Sequence, residues 1–249
     1  VVHVPGALSR GTLRRAEQAW QWSIAHPGRA AARLFVDDAV RVVDCDAARA
    51  LTRRERGFFY QDLNNPAATD LYRGVFDSPE LLEIVGALFE TESGDRSAWY
   101  TGEQVFLKEE GERTGWHQDI SDTGCEGFDA VTVWMSFDRV EAEDALEMVR
   151  GSHLGPVYSS IYGRYTSAPI PDIQADRDAW DIVGYPCDPG DVVLFHLGTL
   201  HGGAATRDGH VRRSLALRYT GPDCRVAEWS ESRRPAGAPY HESNGQRVL

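Results

Sequence analysis

Cysteine is scarce in this 249-residue chain: Cys45, Cys125, Cys187 and Cys224 are the four, and no two of them form a C-x-x-C pair. That scatter excludes a zinc knuckle and a disulfide framework and points to reduced thiols. Long apolar runs are missing too. The longest, Ile84 to Phe89, spans about six residues, against the roughly 20 that cross a bilayer. The first residues carry no basic-then-apolar leader pattern, so the expectation is a soluble, cytoplasmic protein. Positive charge is in deficit, with 26 Lys and Arg against 38 Asp and Glu and a net charge of −12. Such a chain repels phosphate backbones and anionic headgroups, which excludes nucleic acid and membrane surfaces as expected partners. The 42% of hydrophobic residues is enough to bury the core of one domain spanning 1–249, and it excludes disorder as the main theme.

Periodicity divides the chain. From Ser9 to Ala25, Leu13, Ala16, Trp20 and Ile24 recur at helical steps; a second helix is expected from Ala47 toward Asp62. A third has Ser78 as N-cap, Pro79 at the first helical position, then Leu81, Leu82, Ile84, Val85, Leu88 and Phe89. Residues 1–95 therefore read as helix-rich. From about 96 to 222 the texture becomes short β-type runs, Trp99–Lys108, Ala130–Phe137, Leu146–Val149, Asp191–His196 and Val211–Thr220, which predict an antiparallel sandwich or barrel, with 223–249 as a C-terminal extension. The segment Gly155–Tyr185, rich in Pro, Gly, Ser, Tyr and Asp, is long enough to be a lid or binding loop.

The chemistry gathers in three segments. In Gly115-Trp116-His117-Gln118-Asp119, an extended backbone points His117 and Asp119 the same way, an imidazole and a carboxylate suited to a divalent metal. His201 follows just beyond the apolar strand Val192–Phe195, and adds a third ligand; His196, five residues earlier, competes for that role but reads more simply as a residue at a strand end. Two histidines and one carboxylate form a facial triad with open positions, whereas a closed zinc site uses four protein ligands, often cysteine. In Val211–Tyr219, period-two alternation places Arg212, Ser214 and Ala216 on one face and Arg213, Leu215, Leu217 and Tyr219 on the other. Arg212 with Ser214 two residues on suits a carboxylate; a bulge would exchange Arg212 with Arg213. His153 reads as a turn residue, and Trp99, Tyr100 and Trp116 as core aromatics.

The order H-x-D, distal His, then Arg-x-Ser eleven residues later resembles the Fe(II)- and 2-oxoglutarate-dependent dioxygenases, and among them the phytanoyl-CoA dioxygenase-like group. Four stretches carry the likeness: Phe106-Leu107-Lys108 through Asp119; Val133-Trp134-Met135-Ser136-Phe137-Asp138; Leu146-Glu147-Met148-Val149-Arg150-Gly151-Ser152-His153; and Gly190-Asp191-Val192 through Gly202. The resemblance implies a double-stranded β-helix, or jelly roll, with His117, Asp119 and His201 as iron ligands. It further implies that Arg212, supported by Ser214, binds the distal carboxylate of 2-oxoglutarate. Gln104 and Trp134 stand where the group places further co-substrate contacts, and Lys108 is another candidate. One departure is Glu143-Asp144-Ala145, where the group usually has an Asn-Gly pair, which puts the local turn in question.

The activity implied by the resemblance consumes 2-oxoglutarate and O₂, yields succinate and CO₂, and takes hydrogen from a substrate C–H, with hydroxylation as the default outcome. Desaturation, cyclisation and epimerisation begin the same way. Asp119 stands where halogenating relatives give up the carboxylate. An acyl-CoA substrate is disfavoured, because the acidic chain has no basic cluster beyond Arg212-Arg213 and Arg233-Arg234 to receive its phosphates. A partly apolar small molecule with polar handles, from secondary metabolism, is expected. The rival readings are a cupin-like isomerase or hydrolase on the same three ligands, which leaves Arg212 unexplained, and a non-catalytic binding module, which leaves the complete triad unexplained.

Overall fold

The computed structural model describes residues 1–28, 33–36, 39–42, 58–92, 94–111, 113–159, 168–228 and 235–249. Its strands are β1 (Val2–Val4), β2 (Arg33–Val36), β3 (Ala39–Val42), β4 (Phe58–Leu63), β5 (Trp99–Glu109), β6 (Cys125–Glu126), β7 (Ala130–Ser136), β8 (Leu146–Val149), β9 (Ile182–Gly184), β10 (Val192–His196), β11 (His201–Gly203), β12 (Val211–Thr220), β13 (Arg225–Val226) and β14 (Gln246–Arg247). Seven form one antiparallel sheet in the order β1-β10-β7-β12-β5, with β4 and β14 sharing the far edge of β5. A smaller sheet, β11-β8-β9, is antiparallel as well.

Alternation along the central strands sorts two layers. On the outer face, Val105 and Leu107 of β5, Val133 and Met135 of β7, and Leu215, Leu217 and Tyr219 of β12 are buried against the helices Arg10–Ala25, Thr69–Phe76 and Pro79–Leu88. Each such side chain taken from water contributes about 1.5–3 kcal/mol. On the inner face, Trp134, Val193, Phe195 and Ala216 meet Val140, Ala145, Met148 and Cys187 from the side of the small sheet. Two antiparallel sheets with an apolar layer between them are the jelly-roll architecture expected from the sequence. Among the described cysteines, Cys125, Cys187 and Cys224 are free and buried.

Among the described residues of 1–95, the helices Arg10–Ala25, Thr69–Phe76 and Pro79–Leu88 are interleaved with β1, β2, β3 and β4. The helix expected over 47–62 falls largely outside the described residues, and its described end, Phe58–Leu63, is a strand paired with Gln104–Glu109 of β5. Here ladder hydrogen bonds and two-sided burial decide: Tyr60 is fully buried on one side while Phe59, Gln61 and Leu63 face the other. Ser78 stands at the predicted N-cap position with Pro79 after it, but its hydroxyl makes no capping bond. Residues 246–247, in the segment read as an extension, pair with Trp99 and Tyr100 of the large sheet.

The Arg10–Ala25 helix is tied at its start to the Pro79–Leu88 helix by Glu80, whose Oε1 accepts from Ser9 N (3.1 Å) and Thr12 Oγ1 (2.9 Å). Hydrogen bonding to Ser9 is the largest cause holding the Glu80 carboxyl down to about 2. A lowered carboxylate pKa contributes stability that is present above the unfolded-state value of 4.5 and lost as pH falls toward 2. Glu80→Gln is expected to flatten the pH dependence of thermal stability between pH 2 and 5. An unchanged acid limb in denaturation curves of the variant would remove Glu80 from the account.

Candidate active site

β11 carries His201 at one edge of the small sheet, and the turn before it brings the chain back against Thr114–His117. His117 N donates to His201 O and His201 N to His117 O, both at 2.9 Å, so the two imidazoles sit side by side with ring centroids 4.1 Å apart. Glycine at 202 permits this approach, because a Cβ there would lie 2.8 Å from the Thr114 carbonyl oxygen. Asp119 ends the motif where the chain turns into the short helix Ile120–Thr123. Its Oδ1 lies 3.8 Å from Nε2 of His117 and 3.8 Å from Nε2 of His201. One ligand atom from each of the three residues falls within 4.8 Å of the others.

Hydrogen bonding fixes which atoms face that point. Nδ1 of His117 contacts Gly115 O at 2.8 Å and Nδ1 of His201 contacts Thr199 O at 2.9 Å. A carbonyl oxygen only accepts, so each Nδ1 carries a proton, and Nε2 is the ring nitrogen each histidine turns toward the shared point. Burial lowers the His201 pKa to about 4, which keeps that ring neutral at physiological pH. Burial, the largest single influence, pushes the Asp119 carboxyl upward, but the charge of Arg218, the two histidines and the Arg218 hydrogen bond together outweigh it and leave the carboxyl well below the usual range. Two imidazole Nε2 atoms and an ionised carboxylate oxygen are the donor set of a divalent transition metal.

The triad lines a cavity of about 310 Å³ between the sheets. Strand register decides the rest of its wall. Arg212 pairs with Lys108, Ser214 with both Phe106 and Ser136, and Ala216 with both Gln104 and Trp134. Arg212, Ser214, Ala216, Lys108, Gln104 and Trp134 all face the cavity, so the residues favoured in the sequence reading reach one space with the triad. Arg212 is 8% exposed and Lys108 1%. Burial lowers the Arg212 pKa to about 10, a value that still leaves it charged. Lys108 Nζ donates to Ala204 O at 3.1 Å and to Thr114 Oγ1 at 3.3 Å, and Arg212 Nη1 donates to Asp144 O. That last contact comes from the turn Ala142–Asp144, the place where the sequence departs from the Asn-Gly pattern. Arg212 and Lys108 are ladder partners, so both heads stand on one part of the cavity wall.

Arg213 faces away, held by Asp138 (2.7 Å) and Glu17 (2.6 Å), and β12 runs without a register shift from 211 to 218. His196 binds Gly127 O and Gly198 N through its two ring nitrogens and stands outside the cavity wall; the His153 ring lies tilted beside it, 5.4 Å away. The lid expected within 155–185 centres on residues outside the described ones; among the described residues of that stretch none lines the cavity, and Ile173 is buried beneath Trp116 and Leu200. Sequence reading missed Gln61 and Arg218. The first lay in a segment read as helix. Arg218 lies on the Arg212 face, two and four positions beyond Ala216 and Ser214, so alternation alone could have found it.

The sequence pattern of the phytanoyl-CoA dioxygenase family matches residues 3–214. The chain belongs to that family. It is accordingly a non-haem enzyme that depends on iron and 2-oxoglutarate, and the donor set described above fits the metal. Among solved structures, the carbocyclase SnoK from nogalamycin biosynthesis is similar over 100% of this chain and 91% of its own, at 20% identity and a TM-score of 0.72. The epimerase SnoN, from the same biosynthesis, is similar over 100% and 93%, at 18% identity and a TM-score of 0.71. EctD from S. alaskensis is similar over 94% and 77%, at 18% identity and a TM-score of 0.64. These likenesses are of fold. A comparison with curated proteins by sequence gave no match. Among the described residues no helix is long and apolar enough to cross a membrane.

The Gly202 contact generates a test of the metal centre. Gly202→Ala is expected to separate the His117 and His201 backbones and weaken Co(II) binding about 10- to 100-fold in absorption titrations, with the fold retained by circular dichroism. Unchanged affinity would mean that the close approach is not what holds the imidazoles together.

Proposed function

We propose that this chain is an oxygenase that takes hydrogen from a C–H bond of a small molecule and hydroxylates it, with His117, Asp119 and His201 holding iron. Arg212, with Ser214 and Lys108, would bind the distal carboxylate of 2-oxoglutarate. The observation that carries the reading is the convergence of Nε2, Oδ1 and Nε2 on one point in the same cavity as the Arg212–Lys108 pair. O₂ is the oxidant and bound iron would supply its activation: one oxygen atom goes to 2-oxoglutarate, which leaves as succinate and CO₂, and the other to the substrate C–H carbon, so that two electrons come from each.

The chain's own groups set the geometry. The Gly115 and Thr199 carbonyls hold the two imidazoles in the orientation that presents Nε2. Arg212 and Lys108, both buried, offer fixed charge to a carboxylate in a space where such bonds are stronger than in water. Gly203 leaves room for that arrangement, since a Cβ there would lie 2.9 Å from Arg212 Nη2. Phe195 packs on the His201 ring at 4.7 Å, and Trp134 and Phe106 add apolar wall, which limits water beside the reacting bond.

For the substrate, a partly apolar metabolite with polar handles suits a wall that mixes Phe59, Leu63 and Leu146 with Asn64, Thr101 and Tyr240. That SnoK and SnoN act in nogalamycin biosynthesis is consistent with secondary metabolism. The net charge of −12 opposes the phosphates of an acyl-CoA. An isomerase or hydrolase using the same ligands is not favoured, because it gives Arg212 and Lys108 no anion to hold.

Anaerobic titration of the metal-free protein with Fe(II) and then 2-oxoglutarate is expected to produce the weak visible charge-transfer band of a chelated 2-oxoacid. His201→Ala should abolish it. Arg212→Ala should shift the 2-oxoglutarate requirement upward about 10- to 100-fold, the equivalent of one charge-assisted carboxylate contact. A fully iron-loaded protein without the band would overturn the assignment and return the isomerase or hydrolase reading.

A further inference from the structure

We infer that Arg218, backed by Gln104, is a positioning residue that keeps Asp119 a one-oxygen ligand, an inference that rests on the triad reading above. Guanidinium and carboxylate ordinarily meet fork to fork, each nitrogen on a different oxygen. Here both nitrogens crowd onto the same one: Nε of Arg218 donates to Oδ2 of Asp119 at 3.3 Å and Nη2 donates to the same Oδ2 at 3.1 Å. Thr132 Oγ1 adds a third donor to Oδ2, at 3.1 Å. Oδ1 is left facing the two histidine Nε2 atoms, 3.8 Å from each.

The sideways placement has a visible cause. Nη2 of Arg218 also donates to Gln104 Oε1 at 2.5 Å, and Gln104 Nε2 donates in turn to Gln61 Oε1 at 2.8 Å. The chain of bonds Gln61–Gln104–Arg218–Asp119 therefore crosses the cavity wall from β4 through β5 to β12. It leaves Arg218 Nη1 buried with no hydrogen-bond partner among the described residues, an arrangement costly to stability that a fork-to-fork pair could relieve. Crowding Oδ2 with three donors denies it to a metal ion. A carboxylate with both oxygens free can chelate with two and consume a position that the facial triad leaves open; Asp119 cannot without breaking this network. Gln104, expected as a co-substrate contact, thereby takes a different role: both ends of its amide are engaged in aiming Arg218.

Affinity for iron is a poor readout, since losing Arg218 removes a repulsive charge and an orienting bond at once. The test is the ligand field. Near-infrared magnetic circular dichroism of the anaerobic Fe(II) protein, which reports coordination number, is expected to differ from the unsubstituted pattern in Arg218→Met and to return toward it in Arg218→Lys. Gln104→Leu should move the bands in the same direction while changing the dissociation constant for 2-oxoglutarate less than about threefold. Arg212→Ala should do the reverse, leaving the bands before co-substrate addition unmoved and raising that constant about tenfold or more. Unsubstituted band patterns in both Arg218→Met and Gln104→Leu would overturn the inference, as would a Gln104→Leu variant that behaves like Arg212→Ala. If the unsubstituted protein binds Fe(II) but gives no 2-oxoglutarate band, the function reading falls and this one with it; a normal band with unmoved variants sinks this one alone.

Discussion

Strand β12 is the constraint on which the rest of the structure depends, because it is buried on both faces and its two faces do unlike jobs. Leu215, Leu217 and Tyr219 seal the outer face under the helices, and Arg212, Ser214, Ala216 and Arg218 furnish the cavity. At about 3.4 Å per residue, the six-residue step from Arg212 to Arg218 sets their backbone positions about 20 Å apart along the strand, and both long side chains reach the same cavity. One stands opposite Lys108 and the other against Asp119. The neighbours β5 and β7 inherit the same sorting through their registers, so a single alternation distributes core, anion pole and ligand support.

The electrostatics follow from that sorting. The protein as a whole is strongly acidic, yet the cavity wall carries Lys108, Arg212 and Arg218 against Asp119 and Asp122. A dianionic co-substrate is therefore drawn to one place and repelled from most of the surface. The acidic exterior and the cationic interior are held apart by burial: the groups that counter Arg213, namely Asp138 and Glu17, lie on the outside of the same strand.

Much of this was legible in the residues. The triad, the Arg212 face and the five β runs were all readable because metal ligation and half-buried strands impose short, rigid spacings. What was not legible had a physical reason. Phe58–Leu63 is a strand because β5 offers it a free edge, and no local spacing reports a partner more than 40 residues away. The partners of Gln104 were hidden for the same reason, since Gln61 reaches it from that unrecognised strand. Arg218 was in view but unassigned; its importance depends on Asp119, 99 positions earlier, swinging beside it. Sequence reports which side of a strand a residue takes; it does not report which distant group will be waiting there.

The adjacency of Arg212 and Arg213 has a consequence for how this chain can change length. The tip of the turn between β11 and β12, residues 208–210, is exposed, so insertions there are absorbed as a longer loop, and the eleven-residue step from His201 to Arg212 has slack. Inside β12 there is no such slack. One residue gained or lost between Arg212 and Arg218 would rotate one end of the strand by half a pleat, driving Leu217 into the cavity or lifting Arg218 out under the helices. Divergent sequences built on this plan are thus free to vary the first spacing and bound to keep the second.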